Sequence, residues 1–268
     1  MGIVNVTPDS FSDGGRYLES GAAIARCRQL LAEGADVIDL GAESTRPGSQ
    51  PVAPDEQIRR LMPVLEALAP DFAARTDVAL SVDTASAAVA QEALARGAHV
   101  INDISALRDA AMAPLIARTG AGVVLMHMRG TPQDMQLDPH YDDVVDEVRG
   151  FLEARRAAAR DAGIADEAIA LDPGIGFGKT AGHSLSLLAG TRTLVVLGRP
   201  VLVGASRKSF LARIAGTAPT SAPEQRVEAS LAAAAIAAFE GARILRVHDV
   251  AQTVRVARVA DAARAAKG

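Results

Sequence analysis

The chain has 268 residues, which suits one large domain or two small ones, and with 49% apolar and 22% charged residues it can bury a substantial core. Its formal charge of −4 leaves no basic excess for a nucleic-acid partner, and its single cysteine excludes an internal disulfide and any multi-cysteine metal site. No basic segment followed by an apolar run opens the chain, and no apolar stretch reaches the roughly 20 residues that span a bilayer, so no signal peptide or membrane segment is expected and the cytoplasm is the expected location.

The first short apolar run is Ile3-Val4-Asn5. A helical stretch follows in which Ile24, Cys27 and Leu31 share a face, which makes Cys27 a small buried hydrophobe. Gly34-Ala35 then leads into Asp36–Leu40. The next helical pattern, Ile58, Leu61, Leu65 and Leu68, contains Pro63, where a kink or break is expected. Val78–Asp83 is the third run, and the fourth, His99–Asp103, follows Gly97-Ala98. The fifth, Val123–His127, follows Gly120-Ala121; the sixth and seventh are Ile169–Asp172 and Val201–Ser206. The eighth, Ile244–His248, follows Gly241-Ala242, and Asp249 with Gln252 can form a capping box on the last helix. The glycines of the repeated Gly-Ala pairs sit where left-handed caps end helices.

Eight short runs, mostly continuous in apolarity and separated by helical patterns, indicate a parallel sheet covered on its faces. Eight such units in about 250 residues predict a single-domain (β/α)8 TIM barrel over residues 1–268, with its site at the C-terminal mouth of the strands. The rival, a doubly wound open sheet, lacks its glycine-rich first turn, since residues 4–8 read Val-Asn-Val-Thr-Pro. The longest irregular stretches are 7–19, 41–54 and 129–141, and all three follow strands.

The strand ends carry Asn5, Asp39, Asp83, Asn102-Asp103, His127, Asp172, Ser206 and Arg246–His248. Singly, Asp39 or Asp103 could cap a helix or bind backbone amides; together the set places acids, amides and bases around one pocket. Asp83, Asn102 and Asp172 suit a flat heterocycle with adjacent N–H groups, because a carboxylate accepts two parallel hydrogen bonds. Arg46, Arg246, His248 and Lys208 suit phosphate oxygens. Residues 174–180, Gly-Ile-Gly-Phe-Gly-Lys-Thr, mimic a phosphate-binding loop, but Pro173 stands where its first glycine is required. The five histidines have no close zinc spacing.

Seven segments, in order, resemble the dihydropteroate synthase family of pterin-binding enzymes. They are Asn5–Gly15, Glu43–Gly48, Ser81–Thr84, Ile101–Asp103, Asp172–Lys179, Ser206–Ser209 and Arg246–Asp249, spread over nearly the whole chain. The resemblance implies condensation of a 6-hydroxymethyl-7,8-dihydropterin diphosphate with p-aminobenzoate, and sensitivity to sulfonamides. It places Asp83, Asn102, Met126, Asp172 and Lys208 at the pterin, and Asn5, Arg46, Arg246 and His248 at the diphosphate. Asn5 would also meet a Mg²⁺ cofactor. Thr45, Pro47, Phe177, Lys208 and Ser209 would line the p-aminobenzoate site, whose carboxylate faces the N–H groups opening a helix at Ser206–Ser209. Asp83, Lys208, Asp9, Phe11 and Arg46 would serve catalysis, the last three on closing loops. A homodimer packed through barrel helices is implied as well.

The sequence departs from relatives at Ile175, Ala42 and Ser184, where phenylalanine, glycine and asparagine are expected, and its first strand begins where relatives carry an upstream segment. Two rivals are a pterin-dependent methyltransferase, which needs no diphosphate clamp, and a catalytically silent paralogue, which would have lost loop or clamp residues. The expected mechanism is departure of diphosphate before attack by the neutral arylamine, with no covalent enzyme intermediate.

Overall fold

A computed structural model describes residues 1–6, 15–44, 48–73, 75–218 and 222–267. The elements follow as β1 (Gly2–Asn5), α1 (Gly15–Ala32), β2 (Val37–Gly41), α2 (Pro54–Ala73), β3 (Ala79–Asp83), α3 (Ala87–Ala95), β4 (Val100–Asp103) and α4 (Met112–Thr119). Then come β5 (Gly122–Met126), α5 (Val144–Asp161), β6 (Ile169–Asp172), α6 (Ala181–Ala189), α7 (Thr191–Val195), β7 (Leu202–Val203), α8 (Ser209–Ile214), α9 (Val227–Phe239), β8 (Ile244–Leu245) and α10 (Val250–Ala266).

Every strand pairing is parallel. Strands β1 to β6 form one sheet in chain order and β7 pairs with β8. Isolated bridges from Leu171 to Val201 and from Gly2 to Val247 join the two sheets at both edges. The eight strands therefore close into the expected barrel, and the helices lie outside it. A closed parallel barrel brings all strand C-termini to one mouth.

The strands are buried on both faces, as their continuous apolarity requires. Leu40, Leu80, Ile101, Leu125 and Leu171 are each at 0% exposure, and the facing helices contribute Leu30, Leu61, Leu65, Leu68 and Ile116 to the same core. Cys27 is buried there too, and burial pushes its thiol up to about 12. The glycines of the four Gly-Ala pairs have φ between 70° and 101°. They end helices as read.

Three expectations need correction. Of the kink or break expected at Pro63, the break does not occur: helix α2 runs through that residue. Proline removes one backbone donor, but Leu61, Met62, Val64, Leu65 and Leu68 around it are buried, and that packing holds the helix. Asp249 is the N-cap of α10, yet its carboxylate makes no cap bond. Arg207 takes it instead, through Nε at 3.0 Å and Nη2 at 2.7 Å, so the capping box with Gln252 is absent. Strands β7 and β8 are two residues each, shorter than the runs read for them. Among the described residues, no helix is long and apolar enough to cross a membrane.

Candidate active site

The pairing register builds the mouth. Asn5 of β1 sits opposite Gly41 of β2, Gly41 opposite Asp83 of β3, and Asp83 opposite Asn102 of β4. On the far side Met126 of β5 sits opposite Asp172 of β6. Five of the residues named from the sequence thus occupy the ends of neighbouring strands. Asp83, Asn102, Met126 and Asp172 are all buried and Asn5 is half-buried.

One layer deeper lies Asp39, at 0% exposure. It is not a helix cap. Its Oδ1 accepts from Ser81 Oγ at 2.6 Å, and its Oδ2 accepts from Asn102 Nδ2 at 3.1 Å and Arg246 Nε at 2.7 Å. Arg246 also donates from Nη2 to Asp83 Oδ2 at 2.7 Å. The acids and the cation read as separate halves of the site are therefore interlocked. Burial opposes the charge of Arg246, but Asp39 and Asp83 outweigh it and hold its pKa above the ordinary value. Burial pushes the Asp83 carboxyl up, against the pull of Arg246.

The network fixes the Asn102 amide, because Nδ2 is spent on Asp39. Asn102 Oδ1 is left buried without a hydrogen-bond partner. Such an atom is rare in native interiors and marks a place where a ligand or water donates. Asp103, by contrast, behaves as a loop anchor: it accepts from the backbone N–H of Ser105 at 2.8 Å and of Leu107 at 2.7 Å.

Asp172 ends β6, and its Oδ1 accepts from Gly174 N at 2.7 Å. Burial raises its pKa, with the Gly174 bond and the nearby Lys208 charge opposing. Gly174 has φ of 63°, and a Cβ there would lie 1.9 Å from the His127 carbonyl oxygen. Only glycine fits. Lys208 donates to the Ile175 carbonyl and lies with Nζ 4.2 Å from the centre of the Phe177 ring. Burial lowers its pKa to about 7, with Asp172 opposing. Asp172 and Lys208 thus meet at one loop. Met126 packs with Met128, Met135, Ile104 and Phe177, an apolar wall beside these charges.

Lys208 is the N-cap of α8, so Ser209 stands in its first turn and is exposed. His248 follows β8; its Nδ1 is 3.0 Å from Ser206 Oγ, and its backbone N–H donates to the same oxygen at 3.2 Å. That pairing ties the β7 and β8 loops together. Asp9, Phe11, Thr45, Arg46 and Pro47 lie outside the described residues. Among the described residues, Glu43 accepts from Val52 N at 3.1 Å and Gln57 Nε2 at 3.2 Å, and Thr84 Oγ1 donates to Gln57 Oε1 at 3.1 Å.

Sequence reasoning missed the work of Asp39. The available signal was Ser81 two residues before Asp83, since residues two apart share a face, with Asp39 likewise two residues before the end of the second strand at Gly41. The three departures from relatives are accommodated inside: Ala42 and Ile175 are buried, and Ser184 is buried with its Oγ donating to Thr180 O at 2.8 Å.

Comparison with known proteins agrees with the geometry. The profile of the family described as "Pterin binding enzyme" matches residues 1–248. The dihydropteroate synthase of Escherichia coli strain K12 is 45% identical over 267 residues, covering 100% of this chain and 92% of that protein. The Xanthomonas albilineans dihydropteroate synthase with 4-aminobenzoic acid superposes with a TM-score of 0.90 at 48% identity, covering 99% of this chain and 92% of that one. A second structure of that enzyme, in complex with 7,8-dihydropteroate, gives a TM-score of 0.86 at 45% identity, with 99% and 93% covered. The chain belongs to the pterin-binding enzyme family and, within it, to the dihydropteroate synthases.

Proposed function

We propose that this barrel, acting as one domain, joins the methylene carbon of a dihydropterin diphosphate to the amine of p-aminobenzoate. The observation that carries the reading is the buried, unpartnered Asn102 Oδ1. An acceptor at that depth, beside the carboxylates of Asp83 and Asp172, suits the ring N–H and amino groups of a pterin. The E. coli and X. albilineans relatives support the same substrates, since one Xanthomonas structure holds 4-aminobenzoic acid and another 7,8-dihydropteroate.

In this reading Asp172 and Asn102 bind the amino-pyrimidine edge, Met126 packs against the ring, and Lys208 lies between the two substrates. Phe177 and Ser209 border p-aminobenzoate together with Thr45 and Pro47, and its carboxylate faces the first turn of α8. Asn5, Arg246 and His248, with Arg46, hold the diphosphate. Arg246 keeps its charge because Asp39 and Asp83 surround it, so it is oriented before a phosphate arrives. The catalytic roles assigned to Asp9 and Phe11 belong to the same proposal, although both lie outside the described residues.

The carbon–oxygen bond to diphosphate breaks first, and its electron pair leaves with the phosphate oxygen. The pterin delocalises the resulting methylene cation, which the buried Asp83 and Asp172 favour by Coulomb attraction. The arylamine nitrogen then forms the new carbon–nitrogen bond and gives up one proton to the diphosphate or solvent. A neutral arylamine is nucleophilic without a strong base, so the step calls for no activated nucleophile, and the Ser206–His248 pair is left to bind the two loops together.

The donor set also fits a diphosphate-borne magnesium ion. Among the described residues no group of three or more acidic, histidine or cysteine side chains could cage a metal. Asn5 offers one half-buried amide oxygen, and Mg²⁺ keeps its waters and takes most other ligands from substrate phosphates. When bound there, the ion neutralises charge growing on the leaving group.

Leu185, Val196, Ile214 and Ile236 are exposed on or next to the helices α6 to α9, and a homodimer packed through barrel helices belongs to the same proposal. A cytoplasmic location goes with the reading. The test is release of diphosphate by the purified chain: it should require p-aminobenzoate and Mg²⁺ and yield dihydropteroate. Release that is independent of p-aminobenzoate, or no turnover at all, would defeat the proposal.

A further inference from the structure

Lys179, the lysine of the false phosphate loop, points inward. It is 3% exposed, and its ammonium meets His127 Nδ1 at 2.9 Å, the Phe177 carbonyl at 2.9 Å and the His127 carbonyl at 3.4 Å. None of these is a carboxylate, and among the described residues no acid lies within ion-pair distance of it. A buried ammonium without a counter-ion is costly, and a methionine would fill the same space without that cost. What the lysine adds is three directed donors. They gather the end of β5 and the β6–α6 loop onto one atom.

Other bonds hold the far side of the loop: the Tyr141 hydroxyl donates to the Gly178 carbonyl at 2.8 Å, and Gln136 Nε2 donates to the Gly176 carbonyl at 2.8 Å. Gly178 presses so close to Arg129 that a Cβ would lie 2.6 Å from its carbonyl oxygen. The same loop presents the Phe177 ring and the Ile175 carbonyl, the two groups on which Lys208 rests. His127 accepts from the ammonium at Nδ1, which requires the neutral imidazole, and it is wedged edge-on against Phe151 with ring centres 4.8 Å apart.

We propose that Lys179, with His127, is a positioning residue for the p-aminobenzoate subsite: it sets the β6–α6 loop so that the Phe177 ring is in place before the arylamine enters. The pterin end is anchored chiefly by Asn102 and Asp172 on strands, with one bond to Asp172 from Gly174 of the same loop, so the effect falls mainly on p-aminobenzoate. Burial, which lowers the ordinary pKa of Lys179 to about 7 and that of His127 to about 3, is consistent with a pair kept dry. This inference rests on the substrate reading above.

The test is steady-state kinetics on the full chain with Lys179→Met. The KM for p-aminobenzoate should rise about tenfold or more while that for the pterin diphosphate changes by less than about threefold. Tyr141→Phe removes a single bond from the other side of the loop and should move the same KM alone, by about two- to fivefold. Equal rises in both KM values, or none, would overturn the proposal. Should Lys179→Met fail to fold, Tyr141→Phe decides by the same criterion. Asp172→Asn, measured in parallel, separates the two readings. If its pterin KM is unchanged the pterin assignment falls, whereas the split produced by Lys179→Met stands or falls on p-aminobenzoate.

Discussion

The two ends of the site are built in different ways. Asp39, Asp83, Asn102 and Arg246 are mounted on or next to barrel strands and satisfy one another inside the core. Phe177, Lys208 and Ser209 ride on loops after β6 and β7, held by carbonyls, a ring contact and a buried lysine. A group on a strand inherits the stiffness of the sheet, while a group on a loop is only as fixed as the bonds that tie it down. Damage to the strand-mounted end should therefore appear as lost stability as well as lost binding. Damage to Phe177 or Ser209 at the loop-mounted end should appear mainly as lost affinity for p-aminobenzoate, while Lys208 touches both substrates.

Asp39→Ala presses this contrast hardest. It strips Arg246 Nε, Asn102 Nδ2 and Ser81 Oγ of their acceptor inside the barrel, and breaking a buried pair in this way costs about 3–5 kcal/mol. Urea unfolding would measure it, and a loss below about 1 kcal/mol would show the network to be dispensable. Asp172→Asn is the intermediate case. It should weaken pterin binding by about 1–3 kcal/mol with a smaller change in stability, and calorimetry giving the wild-type affinity would contradict the assignment.

The last test reads a pH slope from the loop-mounted end. The Lys179 pKa is lowered to about 7 in the folded protein, so between that value and the ordinary 10.5 the unfolded chain binds more protons. Stability gains from this lysine as pH rises through that window, by at most about 1.4 kcal/mol per unit for one proton. Lys179→Met should flatten the rise. A variant whose unfolding free energy keeps the wild-type slope from pH 7 to 10 would show that the lysine carries its charge at no penalty.

Much of the frame was legible because it depends on short-range rules. Apolar runs and the glycines ending helices gave eight parallel strands, and polar residues at the strand ends gave the mouth. Pro63 does not break its helix because its local cost is overruled by the buried leucines around it, which only tertiary packing reveals. Asp249 misled because Arg207, 42 positions away, takes the carboxylate that a cap would have used. Asp39 could not be assigned from its own strand, since its partners come from β3, β4 and the end of β8. Lys179 was set aside as a failed motif, and nothing nearby in the chain shows that it turns toward a histidine 52 residues earlier.

The lone thiol of Cys27 offers a practical return. It sits at 0% exposure on the inner side of α1, and burial raises it to about 12, so a maleimide or aromatic disulfide reagent finds almost no thiolate to attack while the barrel is closed. With 1 cysteine in the sequence, every modification event reports the release of that helix from the strands, free of background from other sites. Labelling rate against ligand concentration would then convert substrate occupancy into a clock for barrel opening.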